Sequence, residues 1–381
     1  LQVGCAIETW ATSPVPKKLF SRAKVRSMNW STMTKWPGGR SSRREPHGRQ
    51  RQDVGDAAAL QRVDVGAVVD RGRRMAVAAA VAGHEHDGGV SFPSGKGERS
   101  MGRLEGKITI VTGATSGIGR RTVELFVAEG AKVVATGRRE ELGRTLEASL
   151  GKDNCLFVTA DARREDDVKR MFDACLSRWG RVDCLFNNAG GPAPVGGIET
   201  VPVEGFDAAM ATLVRSVMLG MKHAAPLMMA QGSGSIINNG SVAGRRAGYS
   251  TSMIYGAAKA AVNHLTVCVA MQLGEKNVRV NSISPGGIAT GIFAKALGLP
   301  PDKADSYAEA MKASMAKNQP IPRAGIVDDI AKAAVFLASD DSTFINGHDL
   351  VVDGGLVGGR LWTPHQEGVK AMRQAFGVDE I

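Results

Sequence analysis

Five cysteines, an odd number, are spread along this chain with no Cys-x-x-Cys pair among them. That spacing supports neither a disulfide framework nor a cysteine-based zinc site. It leaves Cys5, Cys155, Cys175, Cys184 and Cys268 as reduced thiols that mostly pack. No uninterrupted apolar run reaches the ~18 residues that a membrane-spanning helix needs. Aromatic residues make up 5% of the chain, and tyrosine occurs three times, at positions 249, 255 and 307. Any chemistry assigned to a tyrosine therefore has few candidates.

A shortage of acidic residues is also local. The formal charge is +10, which suggests nucleic acid until the charges are located. Residues 1–100 hold 17 of the 48 Lys and Arg but only 9 of the 38 Asp and Glu. The remainder is close to neutral, which removes most of the electrostatic case for a nucleic-acid partner.

The first hundred residues lack sustained helical or strand periodicity, and Arg40–Arg51 reads as a solvated, disordered stretch. Their basic, Ser-containing start has the composition of a transit peptide. The favoured reading is upstream sequence preceding the true start, because Met101 opens what looks like a complete enzyme. His84-Glu85-His86 has no further ligands beside it and is not read as a metal site; no metal is expected anywhere.

From Lys107 short apolar runs alternate with helical stretches, the pattern of βαβ units and a parallel sheet. Seven runs read as strands: Ile108–Val111, Lys132–Ala135, Cys155–Thr159, Asp183–Asn187, Ser235–Asn238, Val278–Ile283 and His348–Val352. Each is nearly continuously apolar, as strands covered on both faces must be. Residues 101–381 are thus expected to form one doubly wound α/β domain.

The first strand runs into Thr112-Gly113-Ala114-Thr115-Ser116-Gly117-Ile118-Gly119, with an amphipathic helix behind it. Glycines 113, 117 and 119 let the backbone turn tightly and approach a pyrophosphate, while the helix start offers free N–H groups. The second strand ends in Gly137-Arg138-Arg139. An acidic residue there would bind the adenosine ribose and exclude a 2′-phosphate, whereas two arginines can pair with one. This favours NADP(H), with NAD(H) the alternative.

Tyr255 and Lys259 are four apart and project from one helix face. A phenol ordinarily titrates near 10, and a neighbouring ammonium should pull it down toward useful proton exchange. Tyr249 and Tyr307 have methionines four residues on, so only Tyr255 carries a lysine. The strand before it ends at Ser241, at the edge where open α/β sheets bind ligands.

These motifs, in this order, resemble the short-chain dehydrogenase/reductase family across roughly Gly102 to Arg360. Asn187-Asn188-Ala189-Gly190, Pro285-Gly286-Gly287-Ile288-Ala289-Thr290 and Asp353-Gly354-Gly355 complete the match. The resemblance implies a Rossmann-type sheet of order 3-2-1-4-5-6-7, cytoplasmic and assembled as a homotetramer or homodimer. It implies that Asp161 and Ala162 contact adenine, and that Asn188, Ala189 and Gly190 stabilise the sheet and touch a ribose. Lys259 would hold the nicotinamide ribose, and Ile288 and Thr290 the carboxamide. Ser241 would bind the substrate oxygen while Tyr255 exchanges its proton, with hydride passing between the nicotinamide and a secondary alcohol or ketone.

One position departs from the resemblance. Alignment puts Leu213 where the family has an Asn that kinks its helix and holds a relay water, neither of which a leucine side chain can do. That departure motivates an alternative, a dinucleotide-binding sensor or scaffold without turnover. His223 and His264 read as packing or capping residues, and Met218, Met221, Met228 and Met229 as core or groove filler. Gly291–Arg323 reads as a substrate lid, with Gly191–Val201 and Arg245–Met253 as further specificity segments.

Overall fold

The computed structural model describes residues 102–378, except 297 and 300–302. The expectations for residues 1–100, for Met101 as a start and for Cys5 lie outside the described residues.

Seven parallel strands form one sheet in the order β3-β2-β1-β4-β5-β6-β7. They are β1 (Ile108–Thr112), β2 (Lys132–Gly137), β3 (Cys155–Thr159), β4 (Cys184–Asn187), β5 (Gly234–Asn239), β6 (Val278–Pro285) and β7 (Asp349–Val352). β1, β2, β5 and β6 run past their expected ends, because main-chain pairing continues beyond the apolar run, as in Thr112 with Thr136 and Asn239 with Ile283. β4 and β7 start one residue later than expected, although main-chain bonds still reach Asp183 and His348. Asp183 adds its carboxylate, which accepts from Ile108 N at 2.8 Å.

The helices are α1 (Gly117–Ala128), α2 (Glu140–Leu150), α3 (Glu165–Trp179), α4 (Val203–Met210), α5 (Ser216–Gln231), α6 (Met253–Gly274), α7 (Ile292–Ala296), α8 (Ala304–Met315), α9 (Val327–Ala338) and α10 (Trp362–Ala375). Strand side chains alternate between two cores. Val133, Ala135, Phe157, Phe186 and Ile237 pack with Val123 and Phe126 of α1 and with Ile330, Ala334 and Val335 of α9. Ile110, Val134, Leu185, Ile236 and Val280 pack with Val168 and Phe172 of α3, Val217 and Met228 of α5, and Val262 and Ala270 of α6. Burial on both faces is the physical reason the strands read as unbroken apolar runs. Among the described residues, no helix is long and apolar enough to cross a membrane.

Sheet order decides where a ligand fits. β1 is flanked by β2 on one side and β4 on the other, so the connections diverge there and open a crevice at the carboxyl ends. The glycine-rich turn, Asn188, Ser241 and Gly286 all follow the carboxyl ends of β1, β4, β5 and β6.

Candidate active site

At the end of β1 the backbone takes the left-handed region at Gly113 (φ 69°) and Gly117 (φ 54°), which side chains rarely tolerate. A Cβ on Gly119 would stand 2.3 Å from Gly113 O, and one on Gly113 2.8 Å from Ala189 Cα. Those two glycines allow chain segments to touch. Above Gly117 there is room, since a Cβ there would meet only Thr290, at 3.8 Å. α1 begins at Gly117 with no side chain capping its first turn, so its N–H groups face that space, as a pyrophosphate requires. The cradle fits a dinucleotide. Ile118 points away, against the core.

Arg139 reaches back over this turn. Its guanidinium donates to Thr115 Oγ1 at 2.8 and 3.1 Å and to Ser116 Oγ at 2.6 Å. Arg138 is exposed. Past β3, the Asp161 carboxylate is held by Arg163, whose nearest nitrogen is 2.6 Å away, with Ala162 beside it. That hydrogen-bonded guanidinium, with Arg138 further off, keeps the carboxyl below its usual range despite partial burial. Nothing in the spacing marked Arg163 for this role.

Asn188 ties three strand ends together. Its Nδ2 donates to Thr112 O at 3.0 Å and Gly113 O at 3.3 Å, and its Oδ1 accepts from Asn239 Nδ2 at 3.0 Å. Thr112 Oγ1 receives the N–H groups of Asn188 and Ala189, both at 3.0 Å. Gly190 follows beside Leu213. After β6, Gly286 lies against Asp353 with no space for a Cβ. Ile288 is buried and pairs with Gly325, which carries Thr290 across to the glycine-rich turn.

Ser241, Tyr255 and Lys259 come together as expected. Ser241 opens a short turn after β5, where its hydroxyl accepts from Ala243 N at 3.2 Å, and its side chain hydrogen-bonds Tyr255. Ser252, unmarked in the sequence reading, caps α6: its hydroxyl accepts from Tyr255 N at 3.2 Å and donates to Pro194 O at 2.5 Å. A Ser just before an apolar helix is an N-cap signal that could have found it.

The expected effect of Lys259 on Tyr255 is not what the geometry gives. Lys259 Nζ donates to the main-chain oxygen of Asn239 at 2.5 Å and sits 5.8 Å from the centre of the phenol ring. Burial pushes the phenol above its ordinary value, the Ser241 hydrogen bond opposing it. Burial also pulls the Lys259 ammonium down to about 8. A carbonyl acceptor has no side-chain signature, so Asn239 was not legible in this role.

The lost asparagine does not bring a regular helix with it. Residues Ala211–Arg215 form a π turn between α4 and α5, with Leu213 buried. Elsewhere Cys155, Cys175 and Cys184 are buried and Met221 and Met228 are core, as packing residues should be; Cys268, Met218 and His264 are exposed instead, and His223 lies 3.1 Å from Glu165 Oε1.

A doubly wound sheet with a dinucleotide turn on its first strand defines the class, a Rossmann-type oxidoreductase that works with a nicotinamide cofactor. Comparison with known proteins gives the family. The family model described as "Enoyl-(Acyl carrier protein) reductase" matches residues 113–357. Momilactone A synthase of Oryza sativa subsp. japonica is 40% identical over 258 residues, 67% of this chain and 91% of that protein. Secoisolariciresinol dehydrogenase of Forsythia intermedia is 36% identical, over 66% of this chain and 90% of that one. The crystal structure of levodione reductase superposes with a TM-score of 0.61 at 31% identity, covering 68% of this chain and all of the other. The chain belongs to the short-chain dehydrogenase/reductase family and is an NAD(P)-dependent enzyme acting on alcohol and carbonyl groups. None of these relatives is named as a sensor or scaffold.

Proposed function

We propose that this enzyme interconverts a secondary alcohol and a ketone with Tyr255 as the general acid and base and NADP(H) as the preferred cofactor. The observation that carries the reading is the meeting of Ser241, Tyr255 and Lys259 beside the glycine-rich crevice, each held by its own main-chain or side-chain partner. The nicotinamide supplies or accepts the hydride. Ser241 orients the substrate oxygen by hydrogen bonding, and Tyr255 delivers or removes that oxygen's proton. Lys259, still cationic at neutral pH with a value of about 8, would bind a ribose hydroxyl from its station on Asn239 O.

Gly113, Gly117 and Gly119 with the α1 N-terminus would hold the pyrophosphate. Asp161 and Ala162 would meet the adenine, and Asn188, Ala189, Gly190, Pro285, Gly286, Ile288 and Thr290 would line the nicotinamide half. Arg138 and Arg139 favour NADP(H), because both stand at the carboxyl end of β2 with no carboxylate of their own strand to meet a ribose. Residues 101–381 acting as one domain, a cytoplasmic location and a homotetramer or homodimer belong to the same reading.

The test is nicotinamide absorbance against a panel of secondary alcohols and ketones. Tyr255→Phe is expected to lower kcat by about 10²–10⁴-fold while the cofactor dissociation constant stays put. Replacing both Arg138 and Arg139 by Ala should weaken NADP(H) by about 10–100-fold or more and leave NAD(H) nearly unchanged. Full turnover in Tyr255→Phe would overturn the acid/base assignment; equal losses for both cofactors would overturn the preference.

A further inference from the structure

Position 213 is apolar, yet the chain leaves α-helical geometry there. A π turn shifts main-chain pairing by one residue, here with Ser216 N donating to Ala211 O. Two hydroxyls brace it. Thr212 Oγ1 donates to Ala208 O at 2.8 Å, and Ser216 Oγ donates to Thr212 O at 2.7 Å. Hydroxyls that bond back four residues bend helices. The irregular turn therefore needs no asparagine in this chain.

The turn drives Leu213 inward. The side chain is 1% exposed and packs with Ala209, Ile254 and Ala258, and Tyr255 lies against the same cluster. Ile254 and Ala258 bracket Tyr255 in the opening turns of α6. On its other side Leu213 Cδ2 comes within 3.7 Å of the point where a Cβ on Gly190 would stand. The leucine thus fills the gap between the turn after β4 and the helix that carries the tyrosine. An aliphatic side chain there offers a water molecule no hydrogen bond, and water needs several polar partners to occupy a buried position.

We propose that Leu213 is a positioning residue, an apolar wedge set by Thr212 and Ser216 that keeps water from the α4–α5 side of the Tyr255 phenol. The proton of that phenol then exchanges only through Ser241 and the open crevice. The inference rests on Tyr255 as the acid/base. The polar groups that face the ring are the Ser241 hydroxyl beyond β5 and the Lys259 ammonium on its own helix, 5.8 Å from the ring centre. Among the described residues, no carboxylate contributes to the tyrosine's shift; burial dominates it.

The scarcity of tyrosine makes this measurable without turnover. With three tyrosines in the chain, the ultraviolet titration of tyrosinate in the full-length protein, minus that of Tyr255→Phe, isolates Tyr255. Leu213→Asn is expected to move that titration down by about one pH unit, toward the ordinary tyrosine value. Leu213→Ser, which makes room and supplies a hydroxyl to hold a water, should move it the same way. Leu213→Met keeps volume and apolarity and should leave it in place. Thr212→Val combined with Ser216→Ala frees the wedge and should reproduce part of the shift. An unmoved titration in folded Leu213→Asn, or in Leu213→Ser if the asparagine variant does not fold, would overturn the proposal, as would an equal shift in Leu213→Met. None of these readings depends on activity. Failure here leaves the acid/base assignment standing, and failure of that assignment in kinetics leaves the titration readable.

Discussion

Lys259 is a cation with almost no contact with water, 4% exposed. Burial without a carboxylate partner disfavours the charged form, which is why its value falls from 10.5 to about 8. In the unfolded chain the lysine keeps its proton up to about 10.5. Between roughly pH 8 and 10.5 the unfolded state therefore binds more protons than the folded one, and this group makes stability rise with pH. Below pH 8 its full penalty is present, on the order of 3 kcal/mol. Lys259→Met removes that penalty and also leaves Asn239 O without its donor, so its net effect at one pH mixes two terms. The pH dependence is cleaner. Urea unfolding of Lys259→Met against the parent should show the variant's relative stability declining from pH 8 to 10.5, and a flat difference would refute buried-charge strain at this residue.

At the scale of elements, tight contacts between segments separate binding from packing. Gly119 brings the start of α1 onto Gly113 O, and a Cβ there cannot be relieved by rotating a side chain because the obstacle at 2.3 Å is backbone. Gly143 brings α2 onto β3, where a Cβ would lie 2.1 Å from the Phe157 ring. Gly143→Ala should cost about 1–3 kcal/mol by overpacking, read by urea unfolding, with the cofactor dissociation constant unchanged. Gly119→Ala should abolish detectable cofactor binding even where the protein stays folded, read by fluorescence titration. The capping of α6 belongs to the same scale: Ser252 fixes where the helix begins, and so where Tyr255 and Lys259 stand relative to Ser241.

Across the whole molecule the two cores determine which thiols meet solvent. Cys155, Cys175 and Cys184 lie within those cores, and burial raises each to about 12. Peptide mapping after brief alkylation near neutral pH should find these three unmodified in the native protein and modified in urea, with Cys268, which is exposed, modified in both. A second long-range tie was invisible in the spacing. Asp349 of β7 accepts from Ser282 and Ser284 of β6, Asn263 of α6 and Arg245 after β5, at 2.6–3.1 Å. It fastens four segments, two of which adjoin Ser241 and Lys259.

The sheet was legible because strands buried on two faces must be apolar throughout, whatever their neighbours. The glycine-rich turn was legible because close backbone approach leaves a compositional trace, and the Tyr255–Lys259 pair because helical spacing alone puts both on one face. By itself, then, the sequence determined the strands, their parallel class and the residue types of the site. Other facts needed the tertiary structure: that Lys259 binds a carbonyl of Asn239 and not the phenol, that Arg163 takes Asp161, and that Thr212 and Ser216 build the turn that buries Leu213. The reason is physical. Main-chain acceptors are the same at every residue, and desolvation is set by whatever packs alongside, so neither leaves a mark in the order of the side chains.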